Sequence, residues 1–96
     1  MRLEHLEWDE WNVEHIAGHR VEPEEVESAC HAERQLVRHA GITRYGLVRY
    51  HVYSQTEDGR YLFIVLDQEA PGVFYTVTAR EMTESEKRTF KKTRDE

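Results

Sequence analysis

Leu3, Leu6 and Trp8 are apolar positions set among charged neighbours, and they predict a short strand leading into a helix. From Trp8 the spacing becomes helical. Trp8, Trp11, Asn12, His15, Ile16 and His19 fall at i, i+3, i+4, i+7, i+8 and i+11, which is one helix face. Glu10 and Glu14 lie off that face, toward water, and Gly18 supplies a stop signal. A second helix starts near Pro23, whose missing N–H is not needed in a first turn. Val21 and Val26 have the spacing of a hydrophobic staple around that start. Glu24 and Glu25 favour the helix dipole there, and Val26, Ala29 and Cys30 are the core-facing positions.

After His39-Ala40-Gly41 the period drops to two. Val48, Tyr50 and Val52 take one side of a strand; Leu47, Arg49, His51 and Tyr53 take the other. Asp58-Gly59 is a hairpin signal. Leu62 to Leu66 is apolar on both faces, as expected of a central strand, and Pro71-Gly72 marks the next turn. Val73, Tyr75, Val77 and Ala79 then alternate with Phe74, Thr76, Thr78 and Arg80. Thr83 and Glu86 form a capping box ahead of a short basic helix from Lys87 to about Lys92. Residues 34–39 are a candidate further strand. The expected architecture is a single α+β domain over residues 1–96. It has an antiparallel sheet of three to five strands, two N-terminal helices and a short C-terminal helix, with the helices on one face.

Length and composition narrow this reading. The 96 residues suit one core. No apolar stretch at the start resembles a secretory leader, and the run from Tyr61 to Leu66 is far too short to span a bilayer. The single Cys30 rules out an intrachain disulfide or a cysteine-rich zinc site, so a cytoplasmic, reducing setting is expected. Net charge is -6 and uneven. Residues 1–30 carry nine acids against two bases, whereas residues 31–96 carry ten acids against eleven bases. General attraction to nucleic acid is therefore not expected, and an RNA site would need a local arginine cluster in the C-terminal two-thirds.

Three segments in order carry a family resemblance. Trp8-Asp9, Asn12 and His15 to Val26 resemble the opening of BrnT-type toxins. Thr56 to Leu62 resembles the central hairpin of that family. Val77-Thr78-Ala79-Arg80, followed by Glu86-Lys87-Arg88 and Phe90, resembles its ending. The similarity spans nearly the whole chain and is loosest between about residues 31 and 48. It implies a RelE-like ribonuclease fold and a metal-independent enzyme, without cofactor, that cleaves RNA and slows translation. It also implies an antitoxin partner, usually a small ribbon-helix-helix DNA-binding protein encoded alongside. A homodimer is a further assembly open to the chain. Gly18 stands where the family has a basic residue, Arg20 where it has a glycine, and Phe90 where it has a tyrosine.

Metal-free RNA cleavage needs a group to take the 2′-hydroxyl proton, a cation for the phosphate and an acid for the leaving 5′-oxygen. The candidate catalytic set is His19, Arg49 and Arg80, which match family positions, together with Glu86 as a general base; Arg20, Arg60 and Arg88 are candidate RNA contacts. Arginine suits the phosphate because its planar fork grips two oxygens. Each residue also has a plainer role: strand arginines pairing with acids, Glu86 as a cap, and His19 as a helix-end histidine near the tryptophans. His51 shares a strand face with Arg49 and is within reach of the same phosphate. His15 and His19 stand four apart but lack a convincing third metal ligand. Trp8 and Trp11 suit either base stacking or a core, and Cys30 reads as a small buried hydrophobe. A second functional class stays open: a RelE-fold module that binds protein without cleaving RNA, suggested by the net charge, Gly18 and Phe90.

Overall fold

A computed structural model describes residues 2–94. Its elements, in chain order, are β1 (His5–Glu7), α1 (Glu10–Ala17), α2 (Pro23–Cys30), β2 (Gln35–Ile42), β3 (Val48–Gln55), β4 (Tyr61–Ala70), β5 (Val73–Glu81) and α3 (Glu84–Arg94). The class is α+β. The five strands lie in the order β1-β5-β4-β3-β2.

The local signals work as chemistry requires. Asp9 caps α1: its carboxylate accepts from the Asn12 N–H at 3.0 Å, while the Asn12 side chain accepts from the Asp9 N–H at 2.8 Å. Asn12 also donates to the Glu7 carbonyl at 2.9 Å, so this buried amide has partners on both its oxygen and its nitrogen. Val21 and Val26 are both buried around the Pro23 start. Gly59 (φ 94°) and Gly72 (φ 76°) take left-handed conformations in the two hairpin turns. Gly72 has a second reason to lack a side chain, because a Cβ there would lie 3.2 Å from the Glu4 carboxylate.

Three expectations are corrected and one is extended. The sheet is mixed, not antiparallel: β1 runs parallel to β5, with Leu6 beside Phe74. A parallel neighbour requires a long connection, and residues 8–72 provide one. The candidate strand at 34–39 is real and extends to Ile42, past a bulge between His39 and Ile42. The helices do not share one face. α1 and α2 cover the face formed by Val52, Leu62, Ile64, Leu66 and Ala79, whereas Phe90 of α3 packs on the opposite face with Phe63, Val65 and Met82. The two-sided apolar pattern of β4 demands cover on both sides, and α3 meets part of that demand. Finally, Trp11 is 81% exposed. The buried stripe of the eight-residue α1 is Asn12 and Ile16, and Trp11 sits roughly 100° around the helix from Asn12.

Buried polar links join the layers. The Trp8 indole N–H donates to Glu27 at 2.8 Å, tying the entry of α1 to α2. The Ser54 hydroxyl, fully buried on β3, donates to the Ala29 carbonyl at 2.7 Å and holds the end of α2 on the sheet.

Candidate functional site on the open sheet face

α3 covers only one end of its face. Alternation along the strands sends Arg38 of β2, Arg49, His51 and Tyr53 of β3, Phe63 and Asp67 of β4, and Arg80 of β5 to this same side. Register then makes them neighbours: Arg38 lies opposite His51, Tyr53 opposite Phe63, Phe63 opposite Arg80, and Arg49 opposite Asp67.

The contacts form a layered row across four strands. The Arg38 guanidinium lies 5.9 Å from the centre of the Tyr53 ring. The Tyr53 and Phe63 rings are 5.2 Å apart, and the His51 ring meets Phe63 edge-on at 5.0 Å. Arg80 sits over the other side of this row, 4.3 Å from the centre of Phe63. Cations over aromatic faces are held flat, an orientation that also suits a nucleobase.

Both strand arginines carry bidentate carboxylate partners. Arg49 donates to Asp67 at 2.7 and 3.0 Å, and Arg80 donates to Glu86 at 2.8 and 3.0 Å. Arg80 and Arg49 retain 36% and 37% side-chain exposure, so their remaining N–H groups can meet a ligand from solvent. The hydrogen bond from Arg80 holds the Glu86 carboxyl below the ordinary carboxylate value, outweighing burial, with help from the Thr83 N–H. Glu86 thus fills its capping role and its ion-pair role together. The Glu86 N–H in turn donates to the Thr83 hydroxyl at 3.2 Å, completing the expected box.

The other sequence candidates are scattered. His19 lies in the turn after α1, the element packed on the opposite face. Its ring meets His15 edge-on at 5.4 Å, and His15 contacts the Thr78 hydroxyl at 2.9 Å. Arg20, exposed in the same turn, has φ 60°. Arg60 is committed to a clasp: it donates to the Arg20 carbonyl and to Glu25, both at 2.8 Å, and to Glu81 at 3.2 Å. Arg88 is exposed on α3. Of the catalytic set, Arg49, Arg80 and Glu86 share the open face, and His51 replaces His19 as the imidazole there.

Several motif residues have structural duties. Trp8, Asp9 and Asn12 build the start of α1. Phe90 is 4% exposed and anchors α3. Burial, with the Glu27 charge, pushes the Cys30 thiol up to about 12, which keeps it from acting as a nucleophile. A cleft of about 620 Å³ opens between Ser28, His31, Arg34, Thr56 and Phe90, at a place that involves neither Arg49 nor Arg80. Among the described residues, no three His, Cys, Asp or Glu side chains converge as metal ligands, and no helix is long and apolar enough to cross a membrane.

Arg38, Tyr53 and Phe63 are the site residues that the linear pattern left unassigned. Arg38 stands two residues from Leu36, on a strand whose parity follows from pairing with β3. That parity becomes readable only once the register is known. No family model matches the chain, and no curated protein matches it either.

Proposed function

We propose that this chain is a RelE-like domain of the BrnT type that grips single-stranded RNA on its open sheet face and cleaves it without a metal. The observation that carries this reading is the layered row of Arg38, Tyr53, Phe63, His51 and Arg80 across β2 to β5. It combines cations for phosphate with flat rings for bases, a pairing that single-strand binding uses repeatedly. Kinship is supported from a second direction. The position where the resembled family carries glycine is Arg20, and its φ of 60° is the backbone conformation that favours glycine.

The chemistry follows from the ion pairs. A phosphate that takes the Arg80 fork displaces Glu86 from it. Losing that partner raises the Glu86 carboxylate toward its ordinary basicity, so substrate arrival itself improves the base. Glu86 then takes the 2′-hydroxyl proton, and the 2′-oxygen attacks the adjacent phosphorus. The bond to the 5′-oxygen breaks, and protonated His51 gives that oxygen its proton. The products are a 2′,3′-cyclic phosphate and a free 5′-hydroxyl. Arg80 holds the charge that builds on the phosphate oxygens, and Arg49, further along the face beside Asp67, meets a neighbouring phosphate. The resemblance adds a ribbon-helix-helix antitoxin as the proposed protein partner.

A second reading has its own observation. Arg49 and Arg80 are both engaged in bidentate pairs, Asp67 being only 11% exposed in its side chain, and such a face can bind without turning over. In that case the domain is a catalytically silent binding module. Induced expression in bacteria, with total RNA followed on gels, separates the two. Growth arrest with RNA cleavage, reduced at least about 100-fold in a folded His51→Ala variant, supports the ribonuclease. Intact RNA and normal growth with soluble, folded protein select the binding module.

A further inference from the structure

Residues 34–56, which span β2, the connecting turn and β3, contain no acid. They hold Arg34, Arg38, Arg44 and Arg49 together with His39 and His51, while the other 73 residues hold all nineteen acids against nine bases. An acid-free hairpin is a pronounced local departure for a chain of net charge -6.

The tip of this hairpin is shaped for contact with something outside the chain. Thr43 organises it: its side-chain oxygen accepts from the Tyr45 and Leu47 N–H groups, and its own N–H donates to the Leu47 carbonyl at 2.8 Å. The tip therefore has a defined turn, yet it presents Tyr45 at 78% exposure. The Arg44 guanidinium lies 5.3 Å from the centre of the Tyr45 ring. This repeats at the tip the pairing seen between Arg38 and Tyr53. From His51 to the start of β3 is about 10 Å along the strand, so the tip lies within a few nucleotides' reach of the layered row.

The opposite flank of the face repels phosphate. Asp67 lies across from Tyr75, Tyr75 lies beside Glu7, and the Tyr75 hydroxyl donates to Asp9 at 3.1 Å. Glu69 belongs to the same acidic group, its carboxyl raised chiefly by Glu7. A polyanion on the open face is thus turned away from β1 and toward β2 and β3.

On the RNA reading of the open face, on which this rests, we infer that the β2–β3 hairpin is an RNA-docking arm. A single strand runs from Arg80 and Phe63 past Tyr53 and Arg38 to the tip, where Tyr45 stacks on a base and Arg44 holds a phosphate. The tip residues therefore set affinity and site length, not the chemical step.

The test is fluorescence anisotropy at low salt with a labelled, 2′-O-methylated single-stranded RNA of about 12 nucleotides, which cannot be cut. Tyr45→Ala and Arg44→Glu should each weaken binding about tenfold, and Arg44→Glu should also flatten the salt dependence by roughly one phosphate contact. Arg2→Glu, a charge change of equal size outside the path, should leave binding within about twofold. Thr43 and Gly46 are kept in every variant, so the turn itself is preserved, and circular dichroism checks the fold. If Arg80→Ala weakens binding and the tip variants do not, the docking arm is overturned while the open-face reading stands. If the natural chain binds no RNA at low salt, both fall. If an oligoglutamate of equal charge binds as tightly and loses affinity equally in the tip variants, the occupant is an acidic polypeptide and the RNA arm is overturned.

Discussion

At the scale of single residues, the chain shows how often one side chain serves two ends. Glu86 caps α3 and holds Arg80; Asn12 caps α1 and satisfies a strand carbonyl. Arg20 is the counterexample, a residue at odds with its own backbone. Its φ of 60° costs an L-residue about 1–2 kcal/mol, part of which glycine returns as greater freedom in the unfolded chain. Arg20→Gly should therefore stabilise the fold by about 0.5–1 kcal/mol in urea unfolding. The Arg60 bond to the Arg20 carbonyl is untouched by that change, since it uses the backbone. Residue roles were legible where they are local, as in the Thr83–Glu86 box. They were illegible where they depend on a partner far along the chain. Nothing in the spacing around Arg60 reveals that it clasps Glu25 and Glu81, 35 and 21 residues away.

Elements were more readable than residues. Turn chemistry at Asp58-Gly59 and Pro71-Gly72 announced the meander, and Pro23 announced α2. β2 was only partly visible, because an edge strand with a bulge alternates imperfectly. The placement of α3 was hidden by its composition. Its sequence is so polar that a single aromatic carries its docking. Phe90 is 4% exposed and meets Tyr61, Phe63 and Met82 from the side opposite α1. Phe90→Ala should cost about 3–5 kcal/mol by denaturant unfolding. The same variant should free α3, read as faster amide exchange at residues 84–93 than in β3 and β4. Slow exchange there in a destabilised variant would show that the Arg80–Glu86 pair, not the ring, holds the helix.

For the molecule as a whole, charge sorts into an acidic group on the β1–β5 flank of the open face and an acid-free hairpin on the other. The acids do not act alike in acid. Glu86 lies below its ordinary pKa through the Arg80 hydrogen bond. For Glu25, burial raises the carboxyl, but bonding to Arg60 and the Glu22 N–H outweighs it, leaving it lowered too. Both therefore contribute stability that is full above the ordinary value of 4.5 and lost as pH falls through their lowered values. Glu69 is raised, first by Glu7 and then by burial and the neighbouring acids. Its contribution runs the other way, present in acid and lost as pH rises through its raised value. Thermal unfolding should thus show a small gain as pH falls from neutral, followed by a loss below about 4.5. Glu69→Gln should remove the gain, and Glu86→Gln should make the loss shallower. An unchanged profile in both variants would show that other groups govern the acid response.

The parallel pairing of β1 with β5 has a consequence for how the molecule comes into being. His5, Leu6 and Glu7 find their strand partners only at Val73, Phe74 and Tyr75. During synthesis the first strand must wait beside two helices until residues 73–75 have emerged. Non-local pairing of this kind slows closure and leaves apolar surface waiting, here Leu3 and Leu6. The open face cannot be assembled earlier either, since Arg80 belongs to the same late strand. A nascent chain therefore lacks this face until β5 has been made, so whatever the face does waits on the strand that brings Arg80.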